Sequence, residues 1–286
     1  MESISKSVSK DYVIEKKIYE NPDAKTSVYE ARDMVLNRTV ILKSIGFENN
    51  EARKGIIREV CNQVLIEKYS DFVPRIYNMF EDRKESLIWI EMQQIPGRRL
   101  RDIMEENAKT AKTKFWYDNV YDLLCDICKS VSYIHKAEKF VHKDLKPENI
   151  IVNRSRKCVY IVDFGISGPW MNKGIGTEKY MAPEQRSQVD RYYVSQATDV
   201  FALGQIAYEM FAGKTLVYGK DLIYNPTGNE WLKMSGVEEA DNPYYPNLKD
   251  IIIKCIAMDP KKRYRNAGDI FSELQKYRRG SKRTSH

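Results

Sequence analysis

The first third of the chain consists mainly of short apolar and β-branched segments separated by polar turns, a pattern typical of β-strands. Four strands are predicted, at residues 12–14, 27–31, 39–43 and 87–90. A turn is predicted at residues 34–38, and one stretch with helical spacing covers residues 50–68. This part of the chain is therefore predicted to form a sheet accompanied by one helix.

After residue 100 the apolar positions recur with the spacing of helices, and the main helices are predicted at 115–136, 197–211 and 267–277. The change of pattern falls near Pro96 and Gly97, and Ile90 is predicted to be the last residue of the strand that precedes them. Two short apolar runs on either side of residues 153–157 predict a β-hairpin inside the helical part.

Polar residues flank this hairpin. Asn149 comes directly before its first strand and Asp163 directly after its second, so the hairpin would bring both side chains to one end. Asp144 and Lys146 stand a few residues upstream. Phosphoryl transfer from a nucleotide requires a carboxylate near the acceptor hydroxyl, a cation near the migrating phosphate and oxygen ligands for Mg2+. These four residues supply those groups.

The same residues carry a family resemblance. Residues 141–149 read V-H-K-D-L-K-P-E-N, residues 163–165 read D-F-G, and residues 182–184 read A-P-E. In this order the three motifs resemble the catalytic loop, the metal-binding turn and the end of the activation segment of eukaryotic-type (Hanks-type) serine/threonine protein kinases. The alternative is a set of polar residues in ordinary loops, but each fixed position matches by chance only about once in twenty.

The resemblance implies an α+β, bilobal protein-kinase fold. A small antiparallel-sheet lobe with one main helix is expected at residues 1–90, a hinge at 91–97, a larger and mainly helical lobe at 98–279, and a basic tail at 280–286. The implied reaction transfers the γ-phosphoryl group of ATP to serine or threonine hydroxyls of proteins, because D-L-K-P-E-N together with Gly176 and Thr177 resembles the Ser/Thr-directed branch.

The resemblance also implies a role for each site residue. Asp144 would orient the acceptor hydroxyl and take its proton, Lys146 would neutralise the migrating phosphate, and Asn149 and Asp163 would bind Mg2+. Lys43, held by a glutamate of the first helix, would position the ATP phosphates. Glu59 is the candidate partner, although Lys43 could instead be a strand-end lysine that reaches water. The adenine site is expected at four residues: Val28, Ile41, Glu91 and Gln93.

The chain departs from the family where a glycine-rich loop would cover the phosphates. Residues 19–27 contain no glycine, and the three glycine positions hold Asn21, Asp23 and Thr26. Pro22 lacks a backbone donor and Asp23 places a negative charge beside phosphates, so weaker or differently shaped nucleotide binding is expected.

Two further departures concern residues of the small lobe. Ile41 stands where the family has alanine, which would narrow the adenine site, and Gln63 is polar where an apolar residue is usual.

Two other functions stay open from the sequence. The first is a pseudokinase that keeps the fold as a binding scaffold, which the loss of the loop glycines favours. Retention of five residues argues against it: Lys43, Glu59, Asp144, Asn149 and Asp163. The second is a kinase of small molecules, which the A-P-E segment disfavours.

Regulation and architecture give three more expectations. Lys143 stands where many relatives carry an arginine that grips a phosphorylated activation loop, so activity is expected without phosphorylation at the candidate hydroxyls. These hydroxyls belong to Ser167, Thr177 and Tyr180. Asp199 is expected to brace the catalytic loop, and Arg263 is expected to pair with Glu184.

Composition limits the cellular setting. Hydrophobic residues make up 42% and charged residues 30%, no apolar run reaches the length of a membrane span, and the polar first residues predict no signal peptide. Five cysteines form no even framework, so a cytoplasmic location is expected, with Cys125 and Cys128 as core residues of one helix.

The net charge of the chain adds little to these expectations. The net charge is +7, but the basic residues are scattered and only residues 276–283 form a dense cluster, so no nucleic acid partner is expected. If the chain is a fragment, that cluster could open a membrane tether or lead to a further domain.

Overall fold

The computed structural model describes residues 11–109, 114–137, 140–165, 176–186, 193–213, 215–216 and 245–281. The chain divides into two compact units, Met1–Pro96 and Gly97–His286. The first unit is built on a sheet and the second mainly on helices.

The described part of the first unit, residues 11–96, contains five strands and one helix. The strands are β1 (Tyr12–Asn21), β2 (Thr26–Asp33), β3 (Arg38–Gly46), β4 (Ile76–Asp82) and β5 (Leu87–Gln93), and helix α1 covers Asn50–Ile66. The sheet is antiparallel throughout, with the order β1-β2-β3-β5-β4. Helix α1 begins at an N-cap, Asn49, whose side-chain oxygen accepts the N–H of Ala52 at 2.9 Å. The predicted sheet with one helix is confirmed.

Two strand predictions need correction. Ile90 does not end its strand, because Glu91 and Gln93 continue the ladder opposite Leu42 and Val40. Strand β4 is absent from the sequence prediction because its residues, I-Y-N-M-F-E-D, do not alternate between apolar and polar positions.

The two faces of this sheet have separate apolar cores. One face buries Ala31, Val40, Leu42 and Trp89, and the other packs Ile88 and Ile90 against α1 residues. The rings of Tyr12 in β1 and Phe80 in β4 stack at 6.2 Å although these are the two edge strands. The sheet is therefore rolled, so that residues of all five strands meet on its first face.

The second unit contains five helices within the described residues. They are α2 (Leu100–Lys109), α3 (Lys114–Ile134), α4 (Gln196–Ala212), α5 (Tyr245–Cys255) and α6 (Ala267–Ser281). A small sheet joins β6 (Arg98–Arg99), β7 (Ile150–Asn153) and β8 (Cys158–Ile161). The predicted hairpin is confirmed, and its strands close with Asn153 opposite Cys158. Strand β6 is too short to give a periodic signal.

Helix α4 lies in the core of this unit, and nearly all of its residues are buried. Gly204 of α4 is in close contact with α5, since a Cβ atom there would stand 2.6 Å from the Cβ of Cys255. Cys125 and Cys128 of α3 and Cys255 are buried, whereas Cys61 of α1 is exposed, which confirms the core assignment of the cysteine pair. In the part of the chain that the structure describes, no helix combines the length and apolar composition needed to span a membrane.

Candidate active site

The carboxylate of Asp144 is the centre of a compact polar cluster. Its Oδ2 accepts a hydrogen bond from Lys146 Nζ at 2.7 Å, and its Oδ1 accepts the backbone N–H of Thr177 at 2.8 Å and the Thr177 hydroxyl at 2.7 Å. Lys146 Nζ also donates to Thr177 Oγ1 at 2.9 Å. Both carboxylate oxygens are thus held, and the ammonium of Lys146 lies beside them.

The loop that carries Asp144 is anchored by Asp199 at the start of α4. Its two carboxylate oxygens accept the backbone N–H groups of His142 and Lys143, at 2.7 and 2.8 Å. Asp199 Oδ2 also lies 2.9 Å from His135 Nε2, which carries the hydrogen because His135 Nδ1 accepts the N–H of Ala267. Burial alone would raise the pKa of Asp199, but these hydrogen bonds lower it below its usual value. The predicted brace is confirmed.

His142 is fully buried and links the catalytic loop to the hairpin. Its Nδ1 accepts the N–H of Asp144 at 3.3 Å, so Nε2 carries the hydrogen that points to the carbonyl of Val162 at 3.3 Å. Burial lowers the pKa of His142, although nearby aspartates oppose the shift. The neutral imidazole packs against the buried ring of Phe164, with 4.9 Å between ring centroids.

Asn149 and Asp163 lie at the same end of the hairpin, as its sequence predicts. Ile150 pairs with Ile161, and the N–H of Val162 donates to the carbonyl of Asn149 at 3.0 Å. The amide nitrogen of Asn149 donates to the carbonyl of Asp144 at 2.9 Å. The amide oxygen of Asn149 is therefore the atom that could coordinate a metal ion. Asp163 is exposed and has a left-handed backbone with φ of 63°. An amide oxygen and an exposed carboxylate are the hard ligands that Mg2+ prefers, so the donor set fits this ion.

Lys43 and Glu59 form the predicted ion pair within the first unit. Lys43 Nζ lies 3.5 Å from Glu59 Oε1, and both side chains are mostly buried. Val28 stands opposite Lys43 in the β2–β3 ladder and Ile41 lies two residues away, so all three share one face of the sheet. Gln63 is buried and donates to the carbonyl of Pro74 at 2.8 Å, which explains how a polar residue is accommodated there.

The glycine-free loop forms a tight turn between β1 and β2. The N–H of Ala24 donates to Asn21 Oδ1 and that of Lys25 to the carbonyl of Pro22, each at 3.1 Å. The N–H of Gly46 in β3 donates to the carbonyl of Lys25 at 2.9 Å, which ties the turn to the sheet. Two backbone donors of the turn, the N–H groups of Ala24 and Lys25, are thus used within the protein and not offered to a ligand.

Sequence reasoning missed a second polar cluster in the helical unit. Arg101 of α2 donates to Glu148 at 2.8 Å and to Glu209 of α4 at 2.9 Å, and Tyr180 donates its hydroxyl to Glu209 at 2.6 Å. Burial and the Glu209 carboxylate raise the pKa of Tyr180, which therefore stays protonated. The signal that could have revealed this cluster is Glu209, a charged residue in the mainly apolar second half of α4.

The predicted pair of Glu184 and Arg263 is confirmed. Two hydrogen bonds of 2.7 and 2.9 Å join the guanidinium to the carboxylate, and both side chains are 0% exposed. Thr198 adds a hydrogen bond to Glu184 at 2.8 Å. Ser167, the third candidate hydroxyl, lies outside the described residues.

Comparison with known proteins agrees with this geometry. A family model described as the protein kinase domain matches residues 24–273. The chain therefore belongs to the protein kinase family, and it is of the eukaryotic (Hanks) serine/threonine type.

Three relatives illustrate the range of this similarity. A probable serine/threonine-protein kinase of Clostridium acetobutylicum is 29% identical over 86% of this chain and 37% of its own length. A MAP kinase kinase of Saccharomyces cerevisiae is 30% identical over 74% of this chain and 43% of its own length. The serine/threonine-protein kinase PrkC of Bacillus subtilis is 24% identical over 87% of this chain and 38% of its own length. The chain thus spans less than half of the length of each of these relatives.

Proposed function

We propose that this chain catalyses Mg2+-dependent transfer of the γ-phosphoryl group of ATP to serine or threonine hydroxyls of proteins. The observation that carries this proposal is the Asp144 carboxylate, fixed by Lys146 on one oxygen and by Thr177 on the other. A carboxylate and a cation at a distance of 2.7 Å provide a proton acceptor directly beside a group that stabilises phosphoryl charge.

Each residue of the cluster has a defined task. Asp144 orients the acceptor hydroxyl and takes its proton, while Lys146 presents its ammonium to the transferred phosphoryl group. Asn149 and Asp163 would hold Mg2+ through one amide and one carboxylate oxygen. The ion, when bound, would reduce the repulsion between phosphate oxygens and the incoming alcohol.

Nucleotide binding is assigned to the first unit. Lys43, held by Glu59, would contact phosphate oxygens, and the backbone at Glu91 and Gln93 would meet the adenine edge. Val28 and Ile41 would contact the base from the sheet face that bears Lys43. The hinge at residues 91–97 and the end of the small lobe at residue 90 remain predictions. Because the N–H groups of Ala24 and Lys25 are already used within the β1–β2 turn, phosphate binding would depend on Lys43 and Mg2+, and ATP would bind more weakly than to a glycine-rich loop.

A transfer assay tests the proposal. The protein is incubated with Mg2+ and γ-labelled ATP, with and without a generic basic protein, beside an Asp163→Asn variant. Label on serine or threonine that disappears in the variant is the expected result. Label on a small molecule only, or on tyrosine only, would contradict the proposed substrate class.

A scaffold without catalysis is the second candidate, and the closed β1–β2 turn favours it. Under that hypothesis no label is transferred, and Mg2+ with ATP does not raise the melting temperature. The Lys43 and Glu59 pair together with the ordered Asp144 cluster favour the enzyme, since a scaffold has no need for either.

Regulation and location follow as expectations. Activity without phosphorylation at Ser167, Thr177 or Tyr180 is expected, and full loss of activity after phosphatase treatment, restored by rephosphorylation at Ser167, would contradict it. Protein substrates without nucleic acid partners and a cytoplasmic location also stay predictions, as does a membrane tether or further domain in a longer protein.

A further inference from the structure

The second polar cluster of the helical unit lies next to the residues that hold Asp144. It is formed by the side chains of Arg101, Glu148, Tyr180 and Glu209 and is called the Arg101 cluster below. Glu148 belongs to the same loop as Asp144, and the N–H of Tyr180 donates to the carbonyl of Thr177 at 2.9 Å. One residue of an extended peptide spans about 3.3–3.6 Å, so the neighbours of an acceptor at Asp144 pass close to this cluster.

Every nitrogen of the Arg101 guanidinium has an acceptor inside the protein. Nε donates to Glu148 Oε1 at 2.8 Å, and Nη1 donates to Glu209 Oε1 at 2.9 Å. Nη2 donates to the hydroxyl of Tyr180 at 2.5 Å, and that hydroxyl donates to Glu209 Oε2 at 2.6 Å. Burial alone would lower the pKa of Arg101, but the bonds to Glu209 and Glu148 raise it, so the cation is held permanently between the two carboxylates.

The Glu148 carboxylate is withheld from a peptide although its side chain borders solvent. The side chain is 41% exposed, but Oε1 is bonded to Arg101. Oε2 is buried, and it has no hydrogen-bond partner among the described residues. One oxygen of Glu148 is thus occupied, and the other is out of reach of an approaching side chain.

Without Arg101 the same residues would form a site for a cation. Glu148 and Glu209 would then leave two carboxylates beside the acceptor position, and a carboxylate bonds the planar fork of an arginine through two parallel hydrogen bonds. With Arg101 in place, the guanidinium of a peptide finds these carboxylates occupied and meets a like charge at short range. The cluster therefore excludes the ligand that its carboxylates alone would attract.

We propose that Arg101 is a specificity-determining residue: it occupies the acidic site beside the acceptor, so that the enzyme does not use Glu148 to select substrates with an arginine next to the serine or threonine. This inference rests on the proposed function and adds a property of its protein substrates. The sequence gave no reason to expect it, because Arg101 and Glu209 are 108 residues apart.

The test uses serine peptides that differ at one position. The reference peptide has alanine at the positions around the serine, and in the others arginine replaces one of these alanines at a time. The ratio of kcat/KM for each arginine peptide to that for the reference is measured with the wild type and with Arg101→Gln. At one position or more, Arg101→Gln should raise this ratio by about tenfold, because the freed carboxylate gains a charge-assisted hydrogen bond. Adding Glu148→Gln to this variant should cancel the rise.

Two control variants separate this effect from a change in net charge. Arg99→Gln makes the same charge change two residues away, at an exposed position where the arginine pairs with Asp102. It should leave every ratio at its wild-type value. Glu148→Gln alone should do the same, because Arg101 already occupies that carboxylate in the wild type.

A purely structural role of Arg101 predicts a different outcome. If Arg101→Gln lowers the melting temperature or reduces kcat/KM for all peptides by the same factor, and the ratios stay unchanged, the inference is wrong. It is also wrong if Glu148→Gln alone lowers the ratio for an arginine peptide, because Glu148 then selects arginine in the presence of Arg101. This second comparison does not depend on the folding of the Arg101 variant.

Failure of the proposed function is recognised separately. A wild type that labels none of the peptides and no protein substrate refutes the transfer reaction, and the inference is then measured as the Kd of the same peptides carrying a fluorescent label. Arg101→Gln should bind an arginine peptide about tenfold more tightly than the reference, and the wild type should not. Equal Kd values for all peptides with this variant, or no binding at all, overturn the inference.

Discussion

The hydroxyl of Thr177 connects the proposed base with the proposed phosphate ligand. It donates to Asp144 and accepts from Lys146, so it fixes the distance between the two groups. Thr177→Val keeps the side-chain shape and the backbone N–H but removes this link. Loss of a hydrogen bond to a charged group costs about 1.5–3 kcal/mol, so kcat should fall by roughly 10- to 100-fold.

Thr177→Ser is the control for this prediction, since it retains the hydroxyl. Steady-state transfer assays with a protein substrate measure both variants. If Thr177→Val keeps the wild-type kcat, the positions of Asp144 and Lys146 do not depend on the Thr177 hydroxyl, and the prediction is wrong.

Lys143 gives a prediction for the pH dependence of stability. Burial lowers the pKa of Lys143 below 10.5, although Asp199 partly opposes this shift. Between the folded pKa and 10.5 the unfolded chain binds more protons than the folded one, so the stability contribution of this group rises with pH. The wild type should therefore gain free energy of unfolding relative to Lys143→Met as the pH rises towards 10.5.

Urea unfolding at a series of pH values measures this difference. Lys157→Met, at an exposed position of the hairpin turn, is the matched control. A difference between wild type and Lys143→Met that stays constant over this range would contradict the prediction.

Site residues could be predicted where a short motif fixes their spacing. Asp144, Lys146, Asn149 and Asp163 follow from local sequence, and the structure brings the first three into direct contact. The contacts of Thr177 and of the Glu91 side chain could not be predicted, because their partners are distant in sequence. Tyr12 and Glu91, for example, meet across 79 residues only after the sheet has rolled.

Elements were predictable in proportion to their length and burial. Helix α4 contains a long run of mainly apolar residues, and strand β3 contains the apolar run at residues 40–42, so both types gave strong signals. Strand β4 gave none because its apolar and polar positions do not alternate, and strand β6 gave none because it has only two residues. The sequence predicts the end of β5 too early, at Ile90, because the polar residues that follow resemble a loop although they pair with β3.

Substitution by alanine should have opposite effects on stability at two helical glycines, Gly204 and Gly55. A Cβ at Gly204 would stand 2.6 Å from the Cβ of Cys255, whereas a Cβ at Gly55 would meet nothing within 4 Å. Gly204→Ala should therefore destabilise by about 1–3 kcal/mol through overpacking between α4 and α5. Gly55→Ala should stabilise α1 by about 0.5–1 kcal/mol, because alanine restricts the unfolded chain.

Thermal and urea unfolding of both variants check this pair of predictions. Each serves as the other's control, since the chemical change is the same. Equal effects of the same sign would show that the close approach of α4 and α5 does not decide the outcome.

At the scale of the whole molecule, the chain divides into two compact units, and the larger one depends on a buried ion pair. The guanidinium of Arg263 donates hydrogen bonds to Glu184 and to three backbone carbonyls, of Ala197, Ala257 and Met258. It therefore connects the start of α4 with the segment before α4 and with the segment after α5. Arg263→Met leaves the Glu184 carboxylate buried without its cation. The expected loss is about 3–5 kcal/mol in the free energy of unfolding.

Adding Glu184→Met to this variant should recover part of the loss, because it removes the buried charge that the first substitution left. Hydrogen exchange followed by mass spectrometry should show faster exchange in peptides that contain residues 182–186 and 197–201. If Arg263→Met alone is as stable as the wild type, the Glu184 carboxylate is accessible to water in that variant, and the prediction is wrong.

The exposure of the Cys61 thiol allows helix α1 to be labelled with a fluorescent dye. Cys61 is exposed and Cys158 is half-buried, while Cys125, Cys128 and Cys255 are buried, and burial raises the pKa of Cys128 and Cys255. An electrophilic dye added to the folded protein therefore meets an accessible sulfur on the same helix as Glu59. Fluorescence from a label at Cys61 would follow that helix while nucleotide is added, without any engineered cysteine.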